Sequence, residues 1–253
     1  MSRIARLIAI LGLSALAGCA TRGDWPLATG QHAQHFERKV AHRVSGDFLL
    51  YLPADFDPQA RKKYPLLIFM HGSGESGHDL GRLKGQGPPM IVETRKDFPF
   101  IVVSPQAPEH YAGFDPAMLN AMLDELIERL PIDVDRVYLT GLSMGGEWSY
   151  GWASMNPERF AAIAPISGAW DTDTACALKN VPVWAFHGAN DDIVPTADDQ
   201  AMTEAINKCG GNARITIYPD VGHGAWIPAY ADPRLYEWLL ERRRNGASPE
   251  PRR

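Results

Sequence analysis

Apolar residues along the chain follow two rhythms that alternate. Short apolar runs recur at residues 64–70 (YPLLIFM), 100–104, 137–140, 160–166, 181–187 and 214–219. Runs of this length with few polar breaks are what a strand covered on both faces requires. Between them lie segments whose apolar residues stand three and four apart. In 115–130 the stripe is Met118, Leu119, Met122, Leu123, Leu126, Ile127 and Leu130, with Asp115 placed as N-cap and Pro116 in the first turn. Residues 144–155, 197–209 and 233–242 read as helices in the same way. Strands alternating with helices predict an α/β fold, a mostly parallel central sheet with helices on both faces. Ahead of it, residues 36–52 alternate loosely, which predicts an edge hairpin turning at Ser45-Gly46-Asp47. Residues 19–35 lack periodicity and read as a tether, and 243–253 as a polar tail, so the folded body is expected at 36–242.

The run at 137–140 stops at Gly141-Leu142-Ser143-Met144-Gly145, a G-x-S-x-G pattern that opens a helical segment. A serine on so sharp a strand-to-helix turn crowds the residues two before and two after it, and glycine at both places removes the clash. Ser143 is therefore the expected nucleophile. A serine hydroxyl needs a general base within hydrogen-bond reach and an acid to orient that base. Where the nucleophile stands on such a turn, acid and histidine follow it in that order. Of eight histidines only His223 lies after the acidic pair Asp191 and Asp192, in a loop, Val221-Gly222-His223-Gly224, whose glycines permit close approach. The residues themselves leave Asp191 and Asp192 both open as the acid. His187 reads as a packed strand-end histidine. An oxyanion needs two backbone N–H donors; Met144, directly after the serine, is one, and Ser73 in His71-Gly72-Ser73-Gly74 the other, with Gly74 the alternative. Glu75 either braces this loop or is solvated.

Other features narrow the chemistry. No C-x-x-C or H-E-x-x-H spacing and no Gly-rich phosphate loop occurs, and Asp133-Val134-Asp135 reads as a solvated turn, so catalysis is expected to need neither metal nor cofactor. Only thirteen residues separate Ser167 from Val181, too few for a sizeable lid, which predicts an open site suited to soluble or polymer-borne esters. Trp170 and Trp226 fall on loops at the strands' C-terminal edge, where ligands bind in such folds, and are expected either to line the site or to be packing residues. Trp148 and Trp152 read as core.

The first eighteen residues belong to another category. Arg3 and Arg6 precede an apolar stretch at 7–17 too short to span a bilayer comfortably, the pattern of an export signal. It ends Leu16-Ala17-Gly18-Cys19, which resembles the lipobox of bacterial lipoproteins. That resemblance implies cleavage after residue 18, a lipid on Cys19 that holds the chain to a membrane and, with Ala20 following, sorting to the periplasmic face of the outer membrane. Cleavage would remove two of 25 basic residues and none of 30 acidic ones, taking the formal charge from -5 to -7. Such a surface offers nucleic acid no basic patch. In an oxidising compartment Cys176 and Cys209 are expected to form a disulfide, the alternative being two half-buried thiols. The sequence does not set the oligomeric state.

Six stretches, HGSGE at 71–75, SPQAP at 104–108, DRVYLTGLSMGG at 135–146, PERFAAIAPISG at 157–168, VPVWAFHGANDDIVP at 181–195 and YPDVGHGAW at 218–226, share one likeness. Together they resemble the α/β-hydrolase superfamily, in its phospholipase/carboxylesterase and dienelactone-hydrolase-like branch. More narrowly the chain is similar to exported bacterial "predicted peptidase" or feruloyl-esterase-like proteins. The resemblance implies a Ser-His-Asp triad; its H-G-x-x-D-x-x-V-P pattern selects Asp191 over Asp192 and adds Gln106 as a lining residue. A carboxylesterase is the expected activity, a serine peptidase of the same fold the rival, and a binding lipoprotein without catalysis a third reading.

Overall fold

The computed structural model describes residues 25, 28–39, 43–59, 61–108 and 113–244. Cys19, the export signal and residues 245–253 lie outside the described residues. Eight strands form one sheet: β1 (Gly30–Lys39), β2 (Arg43–Leu52), β3 (Tyr64–Met70), β4 (Ile101–Pro105), β5 (Ile132–Leu142), β6 (Ala162–Ile166), β7 (Val183–Gly188) and β8 (Ala213–Tyr218). Their order is β1-β2-β4-β3-β5-β6-β7-β8. The β1–β2 and β2–β4 pairings are antiparallel and the others parallel. This is an α/β-hydrolase fold.

Strand periodicity explains how two cores form. In β3, Leu66, Ile68 and Met70 face one layer while Leu67 and Phe69 face the other, and in β5 Val137 and Leu139 oppose Tyr138. The first layer is closed by α2 (Pro116–Arg129), α3 (Met144–Met155) and α4 (Thr196–Lys208), through residues such as Leu119, Tyr150 and Met202. The second is closed by α1 (Gly87–Thr94), α5 (Trp226–Ala231) and α6 (Pro233–Leu240), through Val92, Tyr230 and Leu239. Asp115 caps α2 as its sequence position predicts, its carboxylate accepting from the Ala117 N–H at 2.9 Å. None of the helices among the described residues is long and apolar enough to cross a membrane.

Three boundaries differ from the sequence reading. The edge strand begins at Gly30, so residues 30–35 pair with 47–52 and belong to the folded body rather than the tether. Ser45-Gly46-Asp47 is inside β2, Gly46 opposite Phe36, and the pairing of the two strands runs on to Lys39 opposite Arg43. Asp133 and Asp135 lie within β5, not in a turn, and bind arginines: Asp133 takes Arg136 at 2.7 Å and Arg243 at 3.4 Å, Asp135 takes Arg244 at 3.3 Å. The stretch read as a tail therefore starts with two docked arginines. A disulfide joins Cys176 to Cys209, Cα atoms 5.1 Å apart, and ties the 3-10 segment Thr172–Asn180 to the end of α4.

Candidate active site

All the parallel strands end at the same edge, which brings four loops together: after β3, β5, β7 and β8. The β5 loop is the sharp one. Ser143 has φ 52° and ψ -121°, a backbone region that costs a non-glycine residue on the order of 1–3 kcal/mol. The turn is tight enough that a Cβ on Gly145 would stand 1.9 Å from the Met70 carbonyl oxygen and one on Gly141 2.3 Å from that of Gly145. The Ser143 N–H donates to Ile166 O at 2.9 Å, pinning the elbow to β6. With its backbone so held, the serine side chain stands partly exposed at the start of α3.

His223 reaches it from the loop after β8: Nε2 is 2.8 Å from Ser143 Oγ. On the other side Nδ1 lies 2.9 Å from Asp191 Oδ2 and 3.1 Å from Oδ1. A carboxylate only accepts, so Nδ1 carries the proton and Nε2 turns its lone pair to the serine hydroxyl. The loops carrying Asp191 and His223 are zipped together by backbone bonds from Ala189 N to Tyr218 O and from Asn190 N to Val221 O, both 2.9 Å. Asp191 Oδ1 also accepts the N–H groups of Ile193 and Val194 at 3.0 Å. Burial works against the Asp191 charge, but these donors and His223 outweigh it and hold the carboxyl below its usual range. The Asp191 side chain is fully buried, whereas Asp192 is exposed.

The loop after β3 is built from beneath by His71. Its Nδ1–H donates to Gly72 O at 2.5 Å and its Nε2 accepts the Ala107 N–H at 2.9 Å, which requires the neutral ring. Glu75 braces the loop through its backbone, its N–H donating to Gly72 O at 3.2 Å and its carbonyl accepting from Gln106, and burial raises the pKa of its carboxyl. Ser73 opens the 3-10 turn Ser73–Glu75, and a Cβ on Gly72 would press on Leu142 at 2.7 Å, so this loop lies against the residue before the serine. Met144 is the first residue of α3, where backbone N–H groups have no intrahelical acceptor.

Burial lowers the pKa of His71 from 6.5 to about 4. The sign follows directly. An unfolded chain protonates this ring first, so its contribution to stability is complete above pH 6.5 and is lost as the pH falls toward 4. Unfolding free energy from denaturant titration is expected to drop by about 3 kcal/mol across that window, and by less in His71→Gln. A variant with the parent's full pH dependence would assign the loss to other groups.

Other sequence-predicted positions fall differently. Trp226 stands edge-on to the His223 ring, centroids 5.2 Å apart, and donates from Nε1 to Gln86 Oε1 at 3.0 Å. It also walls a groove of about 360 Å³ between α1 and α5, lined by Met90, Ile91, Ile227 and Tyr230. Trp170 is half-buried and packs on Trp148 at 5.7 Å and over Gly151, two helical turns along α3 from the serine. Gln106 is not a lining residue either, being buried with Nε2 donating to the carbonyls of Glu75 at 2.7 Å and Asp79 at 2.9 Å. Its task is to staple the loop after β3. Ser167, which sequence reasoning passed over, has φ 49° and donates from Oγ to His223 O at 3.1 Å. Its position at the end of β6, before Gly168, was the available signal.

With this geometry in hand, known proteins offer four likenesses. Residues 115–231 match the model of the dienelactone hydrolase family. The bifunctional acetylxylan esterase/xylanase XynS20E of Neocallimastix patriciarum is 30% identical over 155 residues, 58% of this chain and 22% of that protein. The Aspergillus clavatus protein named "Probable feruloyl esterase C" is 26% identical over 191 residues, 74% of this chain and 69% of that one. Among solved structures, a thermostable esterase superposes with a TM-score of 0.69 at 28% identity, covering 84% of this chain and 63% of its own. The chain thus spans about a fifth of the first relative and less than two thirds of the first structural neighbour.

Proposed function

We propose that the chain, of which residues 115–231 match the model of the dienelactone hydrolase family on an α/β-hydrolase fold, is a carboxylesterase-type serine hydrolase acting through an acyl-enzyme on Ser143. The observation that carries this reading is the unbroken line Ser143 Oγ, His223, Asp191, with bonds of 2.8 and 2.9 Å. Ser143 Oγ attacks the ester carbonyl carbon as its proton passes to His223 Nε2. The oxyanion so formed lies at the N–H groups of Met144 and Ser73, each contributing on the order of 3 kcal/mol. Collapse expels the alcohol, which takes the proton from Nε2 and leaves an ester on the serine. Water repeats the sequence: its proton goes to Nε2, its oxygen attacks the acyl carbon, and the acid leaves as Ser143 regains its proton. No metal or cofactor takes part.

The names of the relatives, acetylxylan and feruloyl esterases, favour a polymer-borne acyl or aroyl ester. The connection after Ser167 supports access by such a substrate, since it is a short 3-10 segment packed on α3 and α4. The groove walled by Trp226, which stands edge-on to His223, is mostly apolar with Gln86 and Arg95 at its lining, and suits an aryl or alkyl group of the substrate. Cys19 carries the lipid in this reading, and the enzyme works at the periplasmic face of the outer membrane.

One experiment tests both parts. Membrane and soluble fractions of cells making the full chain are assayed with matched ester and anilide substrates of one acyl group. Activity is expected in the membrane fraction, with ester turnover at least about a hundredfold faster than amide turnover. Cys19→Ser moves the activity to the soluble fraction without changing the ratio. Comparable amide turnover would make the enzyme a peptidase instead, and activity that stays membrane-bound in Cys19→Ser would remove the lipid from the proposal.

A further inference from the structure

Behind the triad lies a second histidine–carboxylate pair. His187, at the end of β7, and Asp199, in the first turn of α4, have fully buried side chains. His187 Nδ1 is 2.7 Å from Asp199 Oδ2. Its Nε2 is 2.9 Å from Val194 O and 3.1 Å from Asp191 Oδ2. Asp199 Oδ1 in turn accepts from Tyr150 OH at 2.6 Å. Seen from the serine, side chains alternate: Ser143, His223, Asp191, His187, Asp199, Tyr150.

Acceptor chemistry fixes the protons. Val194 O and Asp191 Oδ2 can only accept, so Nε2 of His187 carries hydrogen. One further proton lies between Nδ1 and Asp199. Burial disfavours a charged His187, but the hydrogen bond and charge of Asp199 prevail and raise its pKa. The consequence falls on Asp191. Its Oδ1 is held by two backbone N–H groups and its Oδ2 by the His223 Nδ1–H, while the His187 Nε2–H, which donates to Val194 O, stands 3.1 Å from Oδ2 and fixes the residue whose own N–H holds Oδ1. A carboxylate so held cannot rotate about its Cβ–Cγ bond without losing donors that burial makes irreplaceable.

We propose that His187 and Asp199 are a positioning pair that fixes the plane of Asp191 and draws part of its charge away from His223. The proposal rests on the triad reading above. A structural pair alone is a poor account of their placement, because a buried ion pair is often no more stabilising than apolar residues of the same volume. Here it stands against the one carboxylate on which the base depends. Charged and titratable groups facing His187 are Asp191, Asp199 and, through Asp199, Tyr150; beyond Asp191 come His223 and Glu147, the other acid within electrostatic reach of that base.

The test uses the whole protein, His187→Leu and His187→Gln, with kcat and KM on an ester across the pH range. Leucine removes the N–H that holds Val194 O and stands beside Asp191; glutamine can return one. His187→Leu is expected to lose about 10- to 100-fold in kcat with KM unchanged within about twofold. The acid limb of its rate profile moves to higher pH, because Asp191 then lends His223 its whole charge. His187→Gln recovers most of the rate. Nitrogen-labelled histidine supplies a second readout in the parent, where the His187 Nε2–H resonance is expected to shift when a fluorophosphonate on Ser143 leaves the base charged. A parent-like rate and profile in His187→Leu, a loss with no limb shift and no recovery by glutamine, or a His187 resonance indifferent to the adduct would each overturn the proposal. If His187→Leu does not fold, the resonance decides. A parent that neither reacts with fluorophosphonate nor turns over esters would instead overturn the esterase reading.

Discussion

Ser143→Ala is expected to lower kcat roughly a million-fold, to the level that substrate binding and oxyanion donors sustain without a nucleophile. At 1.36 kcal/mol per decade this is about 8 kcal/mol of transition-state stabilisation, far beyond what any lining residue could supply. The size follows from the site acting as one unit. His223 and Asp191 have no other partner to activate, and water at the vacated place would need the same geometry from a mobile molecule. KM should change little, since the hydroxyl contributes more to bond making than to binding. Fluorophosphonate labelling disappears with it. The backbone gives a companion result: residue 143 sits at φ 52° with a side chain, so Ser143→Gly should be as inactive yet more stable by about 1 kcal/mol. Labelling that persists in Ser143→Ala would place the nucleophile elsewhere.

What could be read from the sequence follows what is decided locally. The interior strands were legible because burial on both faces writes an unbroken apolar run, as in β3, whose bounds match residue for residue. The glycines around Ser143 were legible for a similar reason, since the turn forbids side chains at two fixed offsets. Edge strand β1 was not: in GQHAQHFERK only Gln34 and Phe36 are buried, so half of its pairing has no apolar signature. Helices α1 and α5 are short and contain prolines, which hides their period. Asp133 and Asp135 looked like a solvated turn because Arg243 and Arg244, which pair with them, lie more than a hundred residues away.

The same limit explains the site. Ser143 and His223 could be found by order and by elimination, but Asp191 was separated from Asp192 only by resemblance, for adjacent carboxylates look alike until the loop is folded. Its folding turns one into the interior and leaves the other in water. His187 looked like packing because its partner is a helix first-turn acid twelve residues on, which itself binds a tyrosine from α3. Gln106 and Trp170 occupy loops of the proper edge, yet one points into the loop after β3 and the other along α3. Position at an edge fixes where a residue stands, not which way its side chain turns.

That distinction makes the two aspartates the sharpest comparison. Asp191→Asn is expected to lower kcat about 10⁴-fold, while Asp192→Asn stays within about twofold of the parent. Asparagine at 191 fits the same space, and its oxygen can still accept from the Ile193 and Val194 N–H groups now on Oδ1. Its amide nitrogen then takes the place of Oδ2 and directs hydrogens at His223 Nδ1 and His187 Nε2. Against a donor, His223 moves its proton to Nε2, where it faces Ser143 Oγ and blocks the lone pair that should receive the serine proton. The loss is thus one of tautomer, and it should appear in kcat with KM nearly constant. Folding should survive, because the replacement is isosteric and keeps two of its bonds. Circular dichroism and a denaturation midpoint near the parent's would show that the inactive protein is intact. Equal losses in both variants, or a large loss only in Asp192→Asn, would contradict the bond of 2.9 Å from His223 to Asp191 as the working contact. The asymmetry between two neighbours of identical chemistry tests the loop's conformation itself, since nothing else distinguishes them.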